Sequence, residues 1–161
     1  MGRLHADGGN DQPMWRSVAM ILMAASISTV ADAQETCTRA DFEAVVDNAA
    51  AALNELNAKH KPQFQEYLRQ LKEKNGWDHD TFMREALPYV RDEQIAKYNQ
   101  ETADYLARIS SLGEEGSTAV KPDCKLLDQV KEAMEGLVAV QRAKWNYMFE
   151  KIGRALAQEP Q

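Results

Sequence analysis

Residues 42–71 read FEAVVDNAAAALNELNAKHKPQFQEYLRQL, and the proline in their midst decides how many helices the chain builds. Proline lacks an amide donor and crowds the carbonyl four residues earlier, so at Pro62 it either kinks one helix or separates two. The apolar positions argue for one. Phe42, Val46, Ala49, Leu53, Leu56, His60, Phe64, Leu68 and Leu71 step by threes and fours, and the stripe crosses Pro62 with one extra residue, as a stutter does. A kinked but continuous helix over about Arg39–Lys74 is expected.

Two more helices follow on the same grounds. Strong helix formers dominate after residue 40, and Val, Ile and Thr are sparse. Turn signals cluster twice, in KNGWDHD at 74–80 and in GEEGSTAVKPDC at 113–124. Between and after them lie Asp80–Leu112, with Pro88 expected to bend its second turn slightly, and Cys124–Ala157. Met83, Leu87, Val90, Gln94, Tyr98, Thr102, Tyr105, Ile109 and Leu112 stripe the second segment. Leu127, Val130, Met134, Leu137, Gln141, Trp145, Met148, Ile152 and Leu156 stripe the third. The three segments have similar lengths, about 50 Å each at 1.5 Å per residue. The expected fold is all-α, an elongated up-down-up three-helix bundle.

The cysteines test that count. Cys37 precedes the first helix and Cys124 opens the third. In an up-down-up bundle both lie at one end and can pair. A fourth helix made by a break at Pro62 would put Cys124 at the opposite end. Neither cysteine has the Cys-x-x-Cys or nearby-His company of a metal site, so a disulfide is expected.

Export fits a disulfide. Val18–Ile27 is a weakly apolar run of about ten residues, the length of a signal-peptide core and too short to span a bilayer. Ala31-Asp32-Ala33 suits signal peptidase, which sets a leader at 1–33 and a helical-bundle domain at 34–161. Asp7 and Asp11 offset Arg3, so residues 1–13 make a poor leader start and Met14 is the expected true initiator. From Gln34 onward, 17 Lys plus Arg face 22 Asp plus Glu. That balance argues against nucleic acid and against anionic membrane surfaces as partners. The expected location is the periplasm or outside the cell, with no stable membrane insertion after processing.

Polar residues interrupt the stripes at matching heights. Pivoting the hairpins about their turns sets His60 opposite residues 94–98, and those opposite 141–145. His60, Gln94 and Gln141 are thus expected in one layer with Tyr98 and Trp145, bonded to one another because an unpaired buried polar group costs about 1–3 kcal/mol. Such a layer fixes register; a small-ligand, haem or metal carrier with His60 as ligand is its functional alternative. Asp78, His79 and Asp80 alternate as weak metal candidates, but they lack the three or four convergent ligands a site needs, and helix capping explains the acids. No cofactor is expected. Serine-nucleophile, zinc-protease and phosphate-loop motifs are missing, and acids at helical spacing with Lys and Arg read as a solvated face. The reading is therefore of no enzyme. It is an exported protein that works by binding another protein, in a scaffold, adaptor or chaperone-like role. The wide stripes suit a monomer or a dimer.

Overall fold

The computed structural model describes residues 37–159, within a compact unit Gln34–Gln161. The expected leader and initiator lie outside the described residues. Among the described residues every regular element is a helix. None is long and apolar enough to cross a membrane.

α1 spans Arg39–Asn75 and carries Pro62 inside it. Its start is a capping box: the Asp41 carboxylate accepts from the Thr38 amide at 2.7 Å and from the Thr38 hydroxyl at 2.8 Å. Pro62 and Ala58 are both exposed, so the carbonyl that the proline leaves unbonded lies on the outer side of α1. Gly76 ends the helix at φ 65°, and the Gly76 and Trp77 amides donate to the Glu73 and Lys72 carbonyls. That left-handed terminus suits glycine.

The second segment differs from its expectation. It is three pieces: α2 (His79–Glu85), α3 (Leu87–Val90) and α4 (Glu93–Thr118). Pro88, in the first turn of α3, has no amide for the carbonyl of Arg84, but Ala86 keeps a right-handed helical backbone between α2 and α3, as a bend does, and the chain leaves helix only at the extended Arg91 and Asp92. Asp92 then starts a new helix, its carboxylate accepting the Ile95 amide at 2.7 Å. From Tyr98 to Leu112 the apolar phase is the expected one. Ile95, not Gln94, is the buried residue, and Ile95, Tyr98, Thr102, Tyr105, Ile109, Leu112 and Gly116 are the half-buried or buried positions that follow at threes and fours. α4 also runs on through Gly113 and Gly116, where a turn was expected. The Ser117 and Thr118 hydroxyls donate to the Glu114 and Glu115 carbonyls in its last turn. α5, Cys124–Ala157, is capped by Asp123, which accepts from the Lys125 amide at 2.9 Å.

α5 packs closely along both α1 and α4, and no comparable backbone approach joins α1 to α4. The ties give the directions. Cys37–Cys124, Asn57–Trp145 and Lys74–Leu156 join residues 87, 88 and 82 apart, a near-constant offset that makes α1 and α5 parallel. Arg108–Glu132, Thr102–Gln141, Asn99–Lys144 and Asp92–Lys151 are 24, 39, 45 and 59 apart, the widening series of an antiparallel pair. The Cys37 and Cys124 Cα atoms lie 5.3 Å apart with their sulfurs joined.

The core is uneven. Phe64, Leu71, Ile95, Met148 and Ile152 form one buried cluster, with Tyr67, Leu68, Trp77 and Tyr89 packed against it, at the end away from the disulfide. Burial of this kind stabilises by about 25 cal/mol per Å² of apolar surface. Toward the disulfide, α5 keeps a buried face in Leu126, Val130, Ala133 and Leu137, but α4 has no buried apolar residue beyond Ile95.

Candidate functional site

The expected mid-bundle layer is split in two. His60 lies on the α1–α5 seam, its ring centroid 5.8 Å from Trp145 and 5.2 Å from Phe149. Its Nδ1 is buried without a hydrogen-bond partner. Burial holds the imidazole below its ordinary range, and the Lys59 and Arg142 charges add to that. Trp145 donates its indole N–H to Asn57 Oδ1 at 3.1 Å. Gln141 belongs to the other seam: its amide donates to Thr102 Oγ1 at 2.8 Å, and that hydroxyl donates to the Tyr98 carbonyl at 2.7 Å. Gln94 is half-buried and bonds to neither set. The layer fails to join because α5 stands between α1 and α4, so a residue on α1 and one on α4 meet different faces of the same helix.

Asp78, His79 and Asp80 are exposed around the start of α2. Asp78 is the cap, accepting from the Thr81 amide at 2.8 Å, and that bond holds its carboxyl below the usual range. Among the described residues no three His, Cys, Asp or Glu side chains gather as a metal site would need.

Sequence reasoning missed Asp92. Its carboxylate caps α4, accepts the Tyr147 hydroxyl at 2.8 Å and pairs with Lys151. Burial pushes this carboxyl up, but Lys151, the Ile95 amide and Tyr147 outweigh it and bring it down to about 2. Lys151 also donates to the Pro88 carbonyl at 2.6 Å. One cation from α5 thus ties Pro88 to Asp92 across the break at Arg91. The Asp-after-Pro spacing, with Glu93 in the next turn, was the available signal.

A groove of about 970 Å³ lies open at the disulfide end. Phe42 and Val46 of α1 form one wall and Ile109 and Leu112 of α4 the other, over a floor of Leu126, Val130 and Met134 from α5. Val46 is 44% exposed, and Val120, in the loop at the mouth, is 99% exposed. All the wall residues but Val120 were placed on stripes by the sequence, yet the groove needs α1 and α4 to stand apart, which no single stripe reveals. Comparison with known protein families, with curated proteins and with solved structures finds no match to this chain.

Proposed function

We propose that residues 34–161, freed of a cleaved leader, work in the periplasm or outside the cell as a non-catalytic binding protein. The unit acts as an up-down-up three-helix bundle stapled by Cys37–Cys124. Its partner is another protein, held in a scaffold, adaptor or chaperone-like role. One observation carries the reading: a groove walled by Phe42, Val46, Ile109 and Leu112 stays open at the disulfide end, away from the buried cluster around Phe64, Leu71 and Ile152. A concave cleft lined by apolar side chains is a place where something else can pack. The joined cysteines accord with an oxidising compartment. The alternative, a small-ligand or haem carrier at His60, requires Trp145 and Phe149 to leave the imidazole that they pack against.

A photoreactive residue at Ile109, installed in the producing cell, tests this against the same residue at Ala139 on the exposed face of α5. A crosslinked protein is expected at 109 and none at 139. Failure to capture protein from any exposed position contradicts a binding role.

A further inference from the structure

Charge is distributed as unevenly as burial. In 37–50 and 112–130, the segments that frame the groove, seven acids face three bases. In the rest of the described chain, fourteen acids meet fourteen bases. The whole acidic surplus of the described residues therefore sits at the groove end. Arg39, one of the three bases, is engaged by Glu43 at 3.1 Å. Asp47 lines the α1 wall, and Glu114 and Glu115 are exposed on the last turns of α4.

The groove's dimensions select a shape. Its walls run over residues 39–47 and 109–117 and its floor over 126–134, each about 12 Å long at 1.5 Å per residue. A helix is about 10 Å across with side chains, so two to three of its turns have a volume of the order of the groove's. The walls and floor are helices of one bundle; Leu126 and Val130 are already buried in the floor, and the apolar side chains left for an occupant are the exposed Val46 and the half-buried Phe42, Ile109, Leu112 and Met134.

We infer that this groove takes an amphipathic helix with a basic polar face from the partner protein, its apolar anchors seated between Phe42, Val46, Ile109 and Leu112. The inference rests on the protein-binding reading and names the partner's chemistry at that site. Apolar anchors spaced at three and four residues lie between the two walls, as in other helix-in-groove recognition. Lysines or arginines flanking them face Asp47, Glu114 and Glu115. Complementary charge of this kind speeds encounter and rejects acidic helices, and its effect weakens with salt.

The test uses two 14-residue helical peptides with the same leucine face, one with lysines and one with glutamates on the polar face. Each is titrated into the disulfide-intact protein. The lysine peptide is expected to bind at least tenfold more tightly than the glutamate peptide. Val46→Lys, at an exposed position, is expected to weaken it at least tenfold, while Leu87→Ser at the other exposed apolar site leaves it unchanged. Asp47→Lys with Glu114→Lys is expected to reverse the charge preference. Equal binding by both peptides, or binding indifferent to Val46→Lys, overturns the inference. So does a protein that sediments as a dimer and becomes monomeric in Val46→Lys, because the occupant is then a second copy. Crosslinks that form only around Met83 and Leu87 leave protein binding standing and remove the groove from it.

Discussion

Asp92 holds three donors with one carboxylate, and each comes from a different part of the packing: its own helix start, the Tyr147 ring and the Lys151 ammonium. Its side chain is 23% exposed, so solvent screens the ion pair only in part. The folded-state value of about 2 lies below the unfolded value near 3.8. A carboxyl shifted down stabilises the fold above its unfolded pKa, and that contribution fades as pH falls from about 4 toward 2. Asp92→Asn is expected to lower stability by about 2 kcal/mol at pH 7 and by much less at pH 2. Urea unfolding of both proteins at the two pH values checks this; a loss that is the same at both would remove the ionised carboxylate from the explanation. The surface pair of Glu66 with Arg69 also holds a carboxyl at about 2, but both groups are exposed, and pairs of that kind add little to stability.

At the scale of single helices, α5 is approached at Gly136, where a Cβ would overlap the Tyr105 ring of α4. Gly136→Ala is therefore expected to destabilise by about 1–3 kcal/mol, through displacement of α4, although alanine is the better helix former. Tyr105→Leu in the same chain is expected to recover much of that loss, and thermal unfolding of the double-mutant set measures it. An additive pair would mean that the helices do not meet there. How legible each helix was from sequence follows from what sets its limits. α1 and α5 read correctly because local signals bound them: Thr38 and Asp41, Gly76, Asp123, and stripes in unbroken phase. Pro62 did not mislead, since an exposed proline on the outer face leaves the stripe intact. The second segment did mislead. Its stripe looked continuous through Val90 and Gln94, and only the Asp92 cap reveals the restart after Arg91 that buries Ile95 more fully than Gln94. The proposed polar layer failed for a related reason. Hairpin pivoting gives heights along the bundle, and it says nothing about which face of α5 each neighbour covers.

Across the whole unit, the main buried cluster and the groove occupy opposite ends. The aromatic and aliphatic cluster around Phe64, Ile95 and Ile152 packs one end, beside the exposed Met83, Leu87 and Val90. At the other, α1 and α4 stand apart over α5, and the sulfur link bridges the starts of the two parallel helices. A bridge across a sequence separation of 87 residues restricts the unfolded chain by roughly 4–5 kcal/mol in the loop-entropy account. That is how an end with few buried side chains on α4 can keep its walls in place while its groove stays open to a partner. Native-state hydrogen exchange, with the cysteines joined and then reduced, tests this division directly. Reduction is expected to speed exchange in residues 42–53 and 126–134, while amides around Leu71 and Ile152 remain the slowest in the protein. Uniform loss of protection along α1 and α5, or slowest exchange beside the groove, would contradict it.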